Sequence, residues 1–265
     1  MLFGTTFFVL GAFAGRHRKL THSKIGVSTP NSQMLICRIN LSPLAICVKK
    51  CKIAELSEIR LNLTVSPQDK ESEMKIVCLL GSPREKGNSA TIANRFCNSA
   101  EGRGAEVKTF ILNNLEYRGC QGCMACKTKL DRCVLNDDLT EVLDAVRETD
   151  VLVLASPVYF WDISSQLKTF MDRTFSYLVP DFITNPKKSR LAPGKKLVFI
   201  LTQGNPDRSS FPDIFQKFEY FFKGYGFVES HCIRAFGVHE PGEVEGHEDV
   251  MKLAETTAEK ICIGV

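Results

Sequence analysis

From residue 74 onward the chain repeats one pattern: a short apolar run, a turn-rich stretch, then an apolar period of three to four residues. The first run is Ile76-Val77-Cys78-Leu79-Leu80, closed by Gly81. It has no polar alternation, which fits a strand buried on both faces. A helix is expected over 88–100, ended by Gly102 and Gly104. A second strand is expected over 105–112 and a long loop over 113–138. Leu139, Val142, Leu143 and Val146 fall at i, i+3, i+4 and i+7 and mark a helix over 139–148. The run 151–155 reads as a third strand, 164–175 as a helix, and 197–201 as a fourth strand. An aromatic helix over 212–224, a fifth strand within 227–238 and a last helix over 248–262 complete the series.

Five buried strands alternating with helices define an α/β class with a doubly wound parallel sheet. Such sheets bind ligands outside the carboxyl ends of their strands, where the winding reverses. Loops 81–89, 156–164 and 202–209 leave those ends with polar, turn-rich sequence, and they are expected to converge on one cleft.

Residues 1–73 break the pattern. An apolar stretch over 1–15 precedes Arg16-His17-Arg18-Lys19, the reverse of a signal peptide's charge order, and is too short to span a bilayer. No sustained strand or helix period follows, only Ser, Pro, Asn and Lys with isolated Cys37, Cys47 and Cys51. The expectation is a poorly ordered extension, or an upstream stretch read from a mis-assigned start; an anchor or small subdomain is the alternative. The division is thus 1–73 and a domain over 74–265.

Composition sharpens this division. The chain has 265 residues, 44% hydrophobic and 24% charged, as in ordinary globular proteins. Its net charge is +4, but the basic excess lies in residues 1–73, with ten Lys/Arg against five Asp/Glu, and the rest is close to neutral, which argues against nucleic-acid binding by the domain. Eleven cysteines are an odd count in a chain too long for a disulfide scaffold. Four are clustered, which points to metal or redox chemistry in a reducing, cytoplasmic setting.

Candidate chemistry begins in the loop Gly81-Ser82-Pro83-Arg84-Glu85-Lys86-Gly87-Asn88-Ser89. Free N–H groups at a helix start and the positive end of its dipole favour an anion there. Ser82, Asn88 and Ser89 add donors, and Arg84 and Lys86 add charge. A phosphate is the expected guest; a plain strand-to-helix turn capped by Asn88 or Ser89 is the alternative. The loop lacks both the Gly-Lys-Ser/Thr ending of the P-loop and the G-x-G-x-x-G dinucleotide fingerprint.

GSPREKGNS after the first strand, ASPVYFWDISSQLKTFMDR after the third and TQGNPD after the fourth resemble the NAD(P)H-dependent FMN reductase branch of the flavodoxin-like flavoproteins. The resemblance runs from residue 74 to about 238. It implies a flavodoxin-like fold with strand order 2-1-3-4-5, bound FMN and NAD(P)H as electron donor. By this resemblance Ser82, Arg84, Asn88 and Ser89 match the FMN phosphate loop. Pro157, Val158, Tyr159 and Phe160 match the segment along the isoalloxazine, and Gln203 and Gly204 match the loop near its other side. It further implies a homodimer. Electrons would go to a small-molecule acceptor such as a quinone or free flavin, or to a redox protein. A non-redox binding module on the same fold is a further alternative, and no membrane partner is expected.

Other residues carry weaker signals. Trp161 reads as a core or lid residue. Asp172-Arg173 reads as a helix-surface pair or a structural contact. His231, His239 and His247 lack metal-ligand spacing. Cys78, Cys97, Cys232 and Cys262 fall in expected strands or helices as small core hydrophobes.

Within the cysteine-rich loop 119–134, Cys120, Cys123, Cys126 and Cys133 read C-x2-C-x2-C-x6-C. Four thiolates, one per iron, are what a cubane [4Fe–4S] cluster needs, and Gly119 and Gly122 permit tight turning. The pattern resembles the compact motif of the iron-sulfur flavoproteins, a subfamily of the same fold with this insertion after its second strand. There a [4Fe–4S] cluster passes electrons to FMN, which opens the alternative of an electron carrier with no substrate of its own. Zinc and unmetallated thiols are the other readings. Val134 follows Cys133 where the bacterial ferredoxin pattern has Pro.

Overall fold

The computed structural model describes residues 23–28, 34–39 and 73–263. The chain divides into two compact units, residues 1–65 and 66–265. In the first, β1 (Ser23–Ser28) and β2 (Met34–Ile39) form an antiparallel pair with Ser23 opposite Ile39 and Ser28 opposite Met34. No strand was expected there. Gly26 and Arg38 interrupt runs only six residues long, too short for an alternation to stand out. The expectations for the rest of 1–72 lie outside the described residues.

The second unit contains β3 (Lys75–Leu80), α1 (Asn88–Glu101), β4 (Glu106–Ile111), the short α2 (Ala125–Thr128) and α3 (Leu139–Glu148). Then come β5 (Val151–Tyr159), β6 (Asp162–Ile163), α4 (Ser165–Arg173), β7 (Lys195–Gln203), α5 (Asp213–Tyr225), β8 (Phe227–Phe236) and α6 (Glu248–Cys262). The five long strands are parallel in the order β4-β3-β5-β7-β8, the expected 2-1-3-4-5. This is a flavodoxin-like fold. The two-residue β6, antiparallel to β5, is an addition to it.

Successive side chains on a strand point to opposite faces, so each strand feeds two cores. Ile76, Cys78, Val153 and Ile200 face α1 and α6; Val77, Leu79, Leu154 and Phe199 face α3, α4 and α5. This double burial is why the strands read as continuous apolar runs. Cys78 and Cys97 are buried as expected, whereas Cys232 and Cys262 are half-buried. The hydrogen bond with Cys97, followed by burial, pushes the Cys78 thiol well up, which keeps it neutral.

The winding reverses between β3 and β5, whose neighbours lead in opposite directions across the sheet. Gly81 closes this point. Its N–H donates to the Ala155 carbonyl (2.8 Å), and its own carbonyl accepts from Ser164 Oγ (2.6 Å). A Cβ here would lie 2.8 Å from Leu167 Cβ, so the two loops approach as closely as they do because residue 81 has no side chain.

Candidate functional site

The loops leaving β3, β5, β7 and β8 enclose a cavity of about 230 Å³ at the carboxyl edge of the sheet. On the β3 side, Ser82 Oγ accepts from the Arg84 N–H (3.1 Å), and the Gly87 N–H closes the turn on the Arg84 carbonyl (3.0 Å). Gly87 is the residue preceding α1, and no side chain caps that helix; Asn88 and Ser89 do not serve as the expected caps. Asn88 instead spans to the loop after β8. Its Nδ2 donates to the Glu240 carbonyl (2.9 Å), and its Oδ1 accepts from the Val244 N–H (3.2 Å). The first turn of α1 therefore keeps free N–H groups facing the cavity, with no acid among its residues. A Cβ on Gly87 would stand 2.8 Å from Ser82 Oγ, so this cradle is closed to a larger residue.

Of the ten residues expected to hold a cofactor, Ser82, Arg84, Asn88, Ser89, Pro157, Val158, Tyr159 and Gly204 line this cavity. Gln203 and Phe160 stand outside its lining. The Gln203 amide is turned to its own loop. It donates to the carbonyls of Asn205 (2.8 Å) and Asp207 (3.2 Å), and it accepts from Arg234 Nε (3.1 Å). Phe160 is 92% exposed at the turn between β5 and β6, beside Trp161, which is 68% exposed and so not a core residue.

Gly87, Thr202, Val238 and His239 line the cavity without having been expected there. Thr202 and Gly87 adjoin motif residues and were within reach of the sequence. His239 was not, because a lone histidine in a loop carries no spacing signal. The His239 carbonyl accepts from Arg84 Nη1 (2.7 Å), its N–H donates to Glu243, and its ring packs over Gly204. The N–H groups of His239 and Glu240 hold the Glu243 carboxyl below its ordinary range.

A second constellation lies in the loop after β4. Cys120, Cys123, Cys126 and Cys133 line one small cavity of about 40 Å³ together with Phe175 and Arg173. Gly122 and Met124 take the left-handed conformation (φ 62° and 58°) that folds the three clustered thiols together. The eight cysteines from Cys78 to Cys262 are free thiols. Among those residues, no three Cys, His, Asp or Glu side chains gather tightly enough for a single ion. A zinc tetrahedron, with bonds of about 2.3 Å to sulfur, is therefore not preformed.

Cations surround these thiols. Buried Lys127 sets its Nζ 3.6 Å from Cys126 Sγ and donates to the carbonyls of Phe175 (2.6 Å) and Leu178 (2.9 Å). Burial pulls the Lys127 ammonium below its ordinary value against the opposing pull of the Cys126 thiol. Arg190 donates to the Cys126 carbonyl (3.0 Å).

Arg173 is sealed from solvent and grips Asp137 with two bonds of 2.9 and 3.1 Å. Burial lowers the Arg173 pKa, but Asp137 and the Cys133 sulfur outweigh burial and hold it above its ordinary value. Asp172 does separate work on the surface, paired with Lys168 at 2.5 Å. Of the two expected roles for Asp172-Arg173, the surface pairing thus falls to Asp172 and the structural contact to Arg173.

A doubly wound sheet with an anion-ready cleft at its switch point and a thiol pocket after its second parallel strand defines a flavodoxin-fold class of protein. Residues 74–209 match the family described as NADPH-dependent FMN reductase, and the chain belongs to that family. An iron-sulfur flavoprotein of Archaeoglobus fulgidus is 32% identical over 69% of this chain and 76% of its own length. An iron-sulfur flavoprotein of Methanocaldococcus jannaschii is 38% identical over 38% of this chain and 52% of its own length, so that match spans about half of the relative. In fold, the chain is similar to an NAD(P)H:quinone oxidoreductase from Methanothermobacter marburgensis, with a TM-score of 0.57. The identity is 17%, over 72% of this chain and 98% of that one.

Proposed function

We propose that residues 74–265 form an FMN-binding, NAD(P)H-dependent oxidoreductase domain that passes electrons to a flavin, quinone or redox-protein acceptor. The observation that carries this reading is the uncapped start of α1 facing a cavity lined by Ser82, Arg84, Asn88 and Ser89. A dianionic phosphate there gains free N–H donors, the helix dipole and nearby guanidinium charge. The cavity is smaller than the roughly 300–1,000 Å³ that encloses a drug-sized ligand. A flat isoalloxazine would therefore lie at its mouth, against Pro157, Val158 and Tyr159, with Gly204 opposite. Gln203 would act indirectly by shaping the Asn205–Asp207 turn, and Phe160 would meet the ring or its acceptor from outside.

FMN, when bound, supplies hydride and single-electron chemistry. The protein's part is to hold the phosphate, fix the ring's orientation and exclude water beneath it. Exposed Phe160 and Trp161 leave an aromatic surface beside the mouth that a second copy of the chain would cover, giving a homodimer. The free thiols suit a reducing compartment such as the cytoplasm. No helix among the described residues is long and apolar enough to cross a membrane.

The four-thiol pocket favours a second reading, an iron-sulfur flavoprotein acting as an electron carrier. Cys120, Cys123, Cys126 and Cys133 would hold a [4Fe–4S] cluster, and the cations around them suit its negative charge. The relatives named iron-sulfur flavoproteins support it. The cluster supplies one-electron transfer, and the loop supplies the ligands and their electrostatic setting.

One experiment separates the readings: an anaerobic absorbance spectrum with iron and sulfide assays, followed by steady-state NAD(P)H oxidation. Flavin, matched iron and sulfide and slow turnover without a partner reductase mean a carrier. Flavin with rapid turnover means an oxidoreductase, and absence of flavin refutes both. Ser89→Asp tests the site. A carboxylate beside the phosphate costs about 4 kcal/mol at 4 Å in a partly screened setting, so FMN affinity should fall by about a hundredfold or more. Unchanged stoichiometric flavin in that variant removes the phosphate from this loop.

A further inference from the structure

The thiol pocket contains a buried side-chain donor that has no hydrogen-bond partner among the described residues. Arg173 ends α4 with its side chain fully enclosed. Its Nη1 donates to the Arg118 carbonyl and Asp137 Oδ2 (2.9 Å each), and its Nη2 donates to Asp137 Oδ1 (3.1 Å) and the Leu135 carbonyl (3.3 Å). Nε has no partner. Leaving a buried N–H unpaired costs about 1–3 kcal/mol, more on a charged group. The orphan belongs to a side chain that lines the same cavity as Cys120, Cys123, Cys126 and Cys133. Asp137 holds the guanidinium from behind, so the head cannot swing away to seek water.

This arrangement suits an acceptor that arrives after folding. Thiolate-ligated cubane clusters are negatively charged, become more so by one charge on one-electron reduction, and have potentials set by hydrogen bonds to their sulfurs. A fixed N–H from a cation stabilises the reduced form more than the oxidised one. We propose that Arg173, through its free Nε–H, is a positioning residue that hydrogen-bonds the sulfur of a [4Fe–4S] cluster in this pocket and raises its reduction potential. The inference rests on the cluster reading given above. Lys127 and Arg190 add charge beside Cys126, but both spend donors on backbone carbonyls. Among the described residues that line the pocket, Arg173 alone offers an unused buried side-chain N–H.

The test uses the full chain, purified anaerobically and reconstituted with iron and sulfide. Arg173→Lys keeps the positive charge and removes the Nε–H. At a fixed potential set by a viologen mediator, with dithionite as reductant, its reduced-to-oxidised cluster ratio should fall about tenfold, equivalent to about 59 mV for one electron. Flavin content should stay at the wild-type level. A ratio within twofold of wild type overturns the proposal.

If Arg173→Lys assembles no cluster, wild-type protein carrying nitrogen-15 at arginine Nε decides the matter. A hyperfine coupling between that nitrogen and the reduced cluster in pulsed electron paramagnetic resonance supports the assignment, and its absence overturns it. Wild-type protein that retains neither iron nor sulfide overturns the cluster reading and this inference together. A loaded wild type with an unmoved variant overturns the inference alone.

Discussion

A methyl group added at Gly204 would fall on the His239 ring, 2.5 Å from Nδ1. The His239 backbone is held by Arg84 and Glu243, so the Gly204→Ala clash displaces the ring, which lines the cavity beside Gly204. Expected is a loss of about tenfold in FMN affinity with a small change in melting temperature, and recovery in the double variant with His239→Ala, read by flavin fluorescence titration.

Asp137 allows a pH test at the same scale. Burial raises its pKa, but Arg173 and the backbone N–H groups of Arg118 and Leu139 outweigh burial and leave it lowered. A carboxyl depressed by folding stabilises the native state above its unfolded pKa of about 3.9, and loses that stabilisation as the pH falls through its folded value. Asp137→Asn should cost about 3 kcal/mol at neutral pH. Because wild type loses the same contribution in acid, denaturant midpoints of the two proteins should converge below the ordinary carboxylate value.

Among the elements, the β5–β6 hairpin carries the strain. Val158 pairs with Ile163 and Tyr159 with Asp162, leaving Phe160 and Trp161 as the two turn residues. Both have positive φ, 44° and 68°, where two-residue hairpins favour Asn-Gly and bulky side chains are disfavoured. The tip is braced by the Lys217–Asp162 pair (2.6 Å) and by an edge contact from Trp161 to Phe211. Strain kept beside a ligand cleft is a mark of function. Replacing Phe160 by Asn together with Trp161 by Gly should relieve roughly 1–2 kcal/mol beyond the lost aromatic contacts, a rise of about 2–8 °C in melting temperature. NAD(P)H oxidation should fall while flavin content holds. Unchanged turnover would remove the tip from catalysis.

What was legible at this scale followed burial. β3, β5 and β7 are enclosed on both faces and show it as unbroken apolar runs, and Gly81, Ser82 and Gly87 announce a loop by their type. The two-residue β6 leaves no period to read. Arg173 sits three residues after buried Phe170, in phase with the core. Even so, its charge argued for solvent until Asp137, 36 residues away, came into contact. His239 reaches the cavity only because β8 ends beside β7, a relation made by topology and absent from local spacing.

At the scale of the whole molecule, every residue of the cavity at the sheet's carboxyl edge and of the thiol pocket belongs to the unit spanning 66–265, which carries its own pair of cores on either face of one sheet. The basic excess belongs to residues 1–73. If the domain begins at Met74, a protein starting there should be near neutral in charge and should bind FMN with the full chain's affinity. Its melting temperature should lie within about 2 °C of the full chain, since a change of 1 kcal/mol moves a domain this size by only about 2–4 °C. Thermal melts and flavin titrations on the two proteins check this. A drop of 10 °C or more, or a loss of flavin, would make the extension a structural part of the domain. Equal behaviour would confine any role of residues 1–73 to something other than holding the flavin.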